Sequence, residues 1–152
     1  MRPVTTYASD SGVAQPVLAL VSATAIDLDV LRTHVTTPRH GAVVVFEGIV
    51  RDHDHGRAVT ELEYQAHPDA AAFLARTCAD IAAEHPETRI AAVHRHGVLA
   101  VGDVAFAVAV GAAHRGPAFE VCALVVDRVK AELPIWKKQT FDDGTHEWVN
   151  FA

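Results

Sequence analysis

Apolar residues recur along the chain in two patterns, one typical of strands and one with the 3.6-residue period of a helix. The strand pattern covers more segments. Residues 41–51, GAVVVFEGIVR, are apolar on both faces, which predicts a strand covered on both sides, with Gly48 at a bulge. Residues 59–65 alternate apolar and polar positions, as a half-buried strand does, and we expect these two strands to form an antiparallel pair. Further strands are predicted at 16–22, 89–96, 104–112, 135–141 and 146–149, the last two as a hairpin around Asp142-Asp143-Gly144.

Three other segments have the period of a helix: 26–35, the Ala-rich run between Pro68 and Pro86, and a third that starts near Pro117. Because strands and helices follow one another in a mixed order, we expect an α+β fold rather than a doubly wound sheet. The prediction is a single domain with a mixed, mainly antiparallel sheet and about three helices. Residues 1–15 are rich in small and hydroxyl side chains, which indicates a loose lead-in to a domain spanning 16–152.

The third helix carries the first candidate for chemistry. On a wheel of about 100° per residue, Lys130 falls at the edge of an apolar stripe. The stripe consists of Phe119, Cys122, Val126, Val129 and Leu133. Partial burial lowers the pKa of a lysine, and such lysines serve as acid/base or nucleophilic groups. The alternative is a side chain whose stem covers the edge of the core while its ammonium group stays in solvent.

A second lysine follows in the extended segment after Pro134. If the strand alternates, Trp136 and Lys137 face opposite ways, so that Trp136 anchors the segment while Lys137 points into a pocket. The alternative is a solvated Lys137. Lys138 is expected at the surface.

Composition and charge narrow the function classes. The 152 residues are 50% hydrophobic and 21% charged, which suits one soluble core. With a net charge of −6, broad attraction to nucleic acid or to an anionic membrane is not expected. Cys78 and Cys122 fall in helical patterns, which favours reduced thiols, and the apolar run at 17–21 is short for a secretory segment. We therefore expect a cytoplasmic protein.

Several basic side chains stand at the ends of predicted elements. Arg51 and Arg95 follow strands, and His114 and Arg115 precede the third helix, where free N–H groups and the helix dipole favour an anion. This pattern predicts a small anion site, although each arginine alone is also explained as a solvated strand end.

Ten histidines raise the question of a metal, most of all His53 and His55 beside Asp52 and Asp54. A metal site needs three or four ligands that converge from fixed elements, whereas this segment has the composition of a polar loop. We expect no metal and no other cofactor. A phosphate-cradling glycine motif and a nucleophile elbow are also absent from the sequence.

Five segments in order strongly resemble the large, catalytic subunit of molybdopterin synthase. They are GAVVVFEGIVRDHDHG, ELEYQAHPDAA, VHRHGVLAVGD, AHRGPAFE and VKAELPIWKKQTF, followed by EWV, and they run from about 41 to 149. The resemblance implies a hammerhead-like α+β fold. It also implies a homodimer within a heterotetramer, with a small ubiquitin-like sulfur-carrier subunit at each end.

The function implied by the resemblance is sulfur transfer in molybdenum cofactor biosynthesis. Cyclic pyranopterin monophosphate would receive two dithiolene sulfurs from the C-terminal thiocarboxylate of the carrier. The family's catalytic lysines correspond to Lys130 and Lys137, and its anion-binding residues correspond to Arg51, His114 and Arg115. Two other functions remain open at this point: a His-rich metal-binding or carrier module, and a subunit that binds pterin or carrier without turnover.

Overall fold

The structure is a computed structural model that describes residues 16–150, so the predicted lead-in at 1–15 lies outside the described residues. Nine strands and three helices follow one another in this part of the chain. They are β1 Val17–Ser22, α1 Leu28–Val35, β2 Ala42–Ile49, β3 His53–Asp54, β4 Arg57–Ala66, α2 Ala70–Glu84, β5 Arg89–Arg95, β6 Gly97–Ala100, β7 Val104–Ala112, α3 Arg115–Glu132, β8 Ile135–Phe141 and β9 His146–Asn150.

The strands form two sheets rather than one. The first has the order β1-β5-β7-β2, in which β1 and β5 are parallel and the other neighbours antiparallel. The second is built on β4, which pairs with β3, β6 and β8, and β8 in turn pairs with β9. The predicted α+β class with three helices and mainly antiparallel pairing is confirmed.

The expected pairing of the strands at 41–51 and 59–65 is wrong. The first becomes β2 and pairs with β7, and the second becomes β4 and pairs with β8. The reason lies in the loop between them, where His55 and Gly56 have φ angles of 48° and 78° and reverse the chain after only two residues of β3. The hairpin partner of β4 is therefore β3. The predicted bulge at Gly48 is confirmed by a register shift between Gly48 and Ile49.

The helices cover both faces of the first sheet. Leu31 and Val35 of α1 pack on one face with Ala91, Val93 and Ala107. The opposite face carries α2 and α3, and it packs in one core with residues of the second sheet such as Leu62 and Ile135. Alternate residues of the continuously apolar β5 and β7 thus enter separate cores, as expected for strands covered on both sides.

The buried face of α3 differs from the predicted stripe. Its buried residues are Ala118, Val121, Cys122, Val125 and Val129. Phe119 is 62% exposed, and the helix turns the small Ala118 to the sheet in its place. Cys122, Val129 and Leu133 of the predicted stripe are buried, whereas Val126 is only partly buried.

Candidate active site

A cavity of about 190 Å³ lies where the two sheets meet the C-terminal turn of α3. Leu62, Tyr64 and Phe106 supply its apolar and aromatic walls. Three of the five site residues that the resemblance implied, Arg51, Lys130 and Lys137, line it together. Arg51 follows β2, Lys130 lies in α3 and Lys137 lies in β8. The fold therefore brings together cations that lie up to 86 positions apart in the sequence.

Lys137 enters the cavity from β8, on the same face as Gln139 two residues later. The strand turns Trp136 the other way, toward the ring of His67, and Lys138 lies over the ring of Trp148. Burial lowers the pKa of Lys137, and the nearby charges of Lys130 and Arg51 lower it further, while Asp54 opposes them. A lysine in this setting releases a proton more readily than a solvated one.

Lys130 occupies the last turn of α3 and reaches the cavity from its rim. The expectation that Lys130 is partly buried is wrong, since the residue is exposed. Lys130 directly follows the buried Val129. Val129 anchors the backbone here, while the side chain of Lys130 is free to reach over the opening of the cavity.

Asp54 pairs with the cavity cation Arg51 and was missed from the sequence as a functional residue. Its Oδ1 lies 3.4 Å from Arg51 Nη2, and its Oδ2 accepts a hydrogen bond of 2.7 Å from Gln139 Nε2. The hydrogen bond from Gln139 is the main cause that lowers the pKa of Asp54, with smaller effects from nearby cations. Asp54 is thus an anion held beside Arg51, and its charge also acts on Lys137.

His94 lies against the cavity wall and is only 3% exposed. Burial lowers the pKa of its imidazole to about 4, so the ring is neutral near pH 7. In the sequence His94 is separated from His96 by one residue, and nothing local indicates that it is buried.

His114 and Arg115 do not reach this cavity within one chain. Both are exposed at the N-terminus of α3, and His114 is its N-cap residue. Arg115 precedes Lys130 by fifteen positions on the same helix, a separation of about 22 Å along the axis at 1.5 Å per residue. One small ligand cannot contact both residues of a single chain.

Within residues 16–150, no three His, Cys, Asp or Glu side chains come together in a way that would hold a metal ion. His53, the first residue of β3, makes a 2.7 Å contact with Asp52. No helix in the same range is long and apolar enough to cross a membrane.

A protein-family model described as MoaE protein matches residues 21–132. The molybdopterin synthase catalytic subunit of Oryza sativa subsp. indica is 42% identical over 120 residues, which is 77% of this chain and 62% of the rice protein. This chain therefore spans less than two thirds of that relative's length.

Solved structures show the same fold. Molybdopterin synthase from Staphylococcus aureus superposes with a TM-score of 0.82 at 33% identity, covering 87% of this chain and 96% of that chain. A complex of subunits 1 and 2 of the molybdopterin-converting factor from Helicobacter pylori gives a TM-score of 0.67 at 18% identity, covering 90% of each chain, and supports the fold alone. The resemblance seen in the sequence is confirmed, and the chain belongs to the MoaE protein family.

Proposed function

We propose that this chain is the catalytic subunit of a molybdopterin synthase, which converts cyclic pyranopterin monophosphate into molybdopterin. The observation that carries the proposal is the cavity in which Arg51, Lys130 and Lys137 meet in a chain of net charge −6. A local cluster of donors in an acidic protein favours a small anionic substrate over a polyanion. The names of the relatives at 33% to 42% identity agree with this reaction.

Sulfur enters from a thiocarboxylate at the C-terminus of a small ubiquitin-like carrier subunit. In each transfer the sulfur forms a bond to a substrate carbon as a C–O bond at that carbon breaks, and the displaced oxygen either stays on the phosphate or leaves as water. Water then cleaves the resulting thioester. The sulfur stays on the substrate, and the carrier leaves as a carboxylate. Two such transfers supply the two dithiolene sulfurs.

Lys130 and Lys137 are the residues we assign to this chemistry. Lys137 has a pKa lowered by burial and by neighbouring cations, which suits it to take up and return protons. Lys130 carries a second positive charge at the rim, where it stabilises the anionic intermediates of attack and hydrolysis.

Arg51, His114 and Arg115 hold the phosphate of the substrate in this proposal. Because Arg115 lies about 22 Å from Lys130 on one helix, the proposal requires a second copy of the chain to supply His114 and Arg115 to the cavity. A homodimer with two-fold symmetry supplies the pair to both of its cavities at once. One carrier subunit for each chain completes a heterotetramer.

The test is reconstitution from purified components. The chain is incubated without oxygen with cyclic pyranopterin monophosphate and a carrier whose C-terminus is either a thiocarboxylate or a carboxylate. Molybdopterin is measured after oxidation to its fluorescent derivative. Product that depends on the thiocarboxylate is expected, and its absence with a folded protein that binds the carrier would contradict the proposal.

A further inference from the structure

His94 is held in one orientation by aromatic neighbours from other strands. Its ring stacks on Phe106 of β7 with 5.3 Å between centroids and an interplanar angle of 23°. Tyr64 of β4 meets the same ring edge-on at 5.1 Å. With both contacts in place and 3% of the residue exposed, the imidazole has little freedom to turn.

The protonation state of the ring follows from its hydrogen bond. Nδ1 lies 2.7 Å from the backbone carbonyl oxygen of Arg95. A carbonyl oxygen only accepts, so Nδ1 carries the proton and donates it. In the neutral ring Nε2 then has a lone pair and acts as an acceptor.

Nε2 has no hydrogen-bond partner among the residues that the structure describes. Nε2 of His94 is also not fully buried. In this range the fully buried side-chain atoms that lack a hydrogen-bond partner are His34 Nε2 and Arg95 Nε, and His94 Nε2 is not one of them. The ring lines the cavity with Lys130 and Lys137, whereas a second hollow beside it, against Lys130 and Leu133, has no room for a water molecule. The charge of Lys130 acts on His94, yet Lys130 does not bond to it, which leaves Nε2 for a ligand.

From this geometry we infer that His94 is a substrate-binding residue, whose Nε2 accepts a hydrogen bond from an N–H or O–H group of the bound heterocycle. The inference rests on the proposed function. In their charged forms Arg51, Lys130 and Lys137 only donate, so they recognise the anionic part of the substrate. His94 adds a neutral acceptor of fixed direction, and a pterin ring presents N–H donors that match it. A ligand without such a donor leaves a buried acceptor unpaired and binds more weakly.

Two substitutions separate this role from a structural one. His94→Asn places an N–H donor near the position of Nδ1 and keeps the bond to the Arg95 carbonyl, but it removes the acceptor at Nε2. His94→Gln places an oxygen near the position of Nε2 and loses the donor at Nδ1. Affinity for cyclic pyranopterin monophosphate is measured by calorimetry without oxygen, with inorganic phosphate as the second probe and thermal unfolding as the check on folding.

We expect His94→Asn to weaken pterin binding about tenfold, the scale of one buried hydrogen bond, and His94→Gln to weaken it about threefold or less. Inorganic phosphate should bind all three proteins equally, because the cations hold it. In the unaltered protein, the ¹⁵N resonance of His94 Nε2 should shift when the pterin binds, a readout that needs no variant.

An unshifted Nε2 resonance, or a greater loss in His94→Gln than in His94→Asn, would overturn the inference while leaving the proposed function intact. Failure of the unaltered protein to bind the pterin at all would overturn both. The two failures are therefore distinguished in one set of titrations.

Discussion

Gln139 Nε2 donates a hydrogen bond of 2.7 Å to Asp54 Oδ2, and this contact joins β8 to β3. Gln139 is 3% exposed and stands two residues after Lys137, while Asp54 also lies 3.4 Å from Arg51. One buried amide thus fixes the carboxylate that pairs with Arg51 and whose charge acts on Lys137. The contact spans 85 positions of sequence.

Gln139→Ala removes this bond and leaves Asp54 without its main donor. A hydrogen bond to a charged group contributes about 1.5–3 kcal/mol, so the free energy of unfolding should fall by about that amount. We also expect kcat/KM for sulfur transfer to fall severalfold, because Arg51 loses its positioned partner. Urea denaturation measures the first effect, and Gln65→Ala, on the exposed side of β4, is the matched control. Equal stabilities of the two variants would contradict this role of Gln139.

The pKa of Lys137 should lie below the ordinary lysine value of 10.5. NMR titration of lysines labelled at Cε measures it directly. Asp54→Asn should lower this pKa further, because it removes the anion that favours the ammonium form, and Lys130→Ala should raise it by removing a repelling cation. If deprotonated Lys137 accepts the proton, activity rises as the pH increases through the lowered pKa. Titration of Lys137 at 10.5 or above would show that burial does not perturb it.

Gly111 of β7 allows α1 to approach the sheet. A Cβ at this position would lie only 2.1 Å from the backbone oxygen of Val35, and both residues are buried. Gly111→Ala should therefore destabilise the protein by about 3 kcal/mol or more, since the backbone of α1 or of β7 must move to make room for the methyl group. Gly116→Ala is the control: nothing lies within 4 Å of a Cβ there, and alanine in the first turn of α3 should be neutral or stabilising by about 0.5–1 kcal/mol. Similar melting temperatures for both variants would refute the close approach.

Mixing two inactive variants tests whether the cavity is shared between chains. Lys130→Ala and Arg115→Ala proteins are denatured together and refolded, so that half of the dimers carry one chain of each kind. If Arg115 acts on the cavity of the partner, each mixed dimer has one intact site, and about a quarter of native activity returns. If both residues act within one chain, no combination restores a site. Activity no higher than that of the separate variants would contradict the shared cavity.

Local patterns predicted much of this fold because they depend on near neighbours. The hairpin of β8 and β9 follows from Asp142-Asp143-Gly144, with Gly144 at a φ of 83°. The direction of Lys137 follows from strand alternation alone. By contrast, β6 is only four residues long, and its partner β4 is more than thirty positions away, so nothing in its own sequence marks it as a strand.

The sequence predicted residues of the candidate site only where the residue type itself, a cation at the end of an element, indicated a role. Arg51, Lys130 and Lys137 could be selected as cations at element ends, and the fold brings them to one cavity. The roles of Asp54 and His94 depend on distant partners, Gln139 for the first and Tyr64 and Phe106 for the second. The separation of Arg115 from Lys130 was implicit in the sequence, which placed Lys130 on the third helix and Arg115 just before it, and the structure places both on α3.

The most direct test of the account compares three lysines in the reconstituted reaction with thiocarboxylated carrier. Lys130→Ala and Lys137→Ala should each lower the rate of molybdopterin formation by about a hundredfold or more, the scale of a lost proton-transfer or electrostatic group. Lys138→Ala is the matched control, because Lys138 faces Trp148 on the other side of β8 and should keep nearly native activity. Native rates for Lys137→Ala in a folded protein, or equal losses in all three variants, would contradict the assignment of catalysis to this cavity.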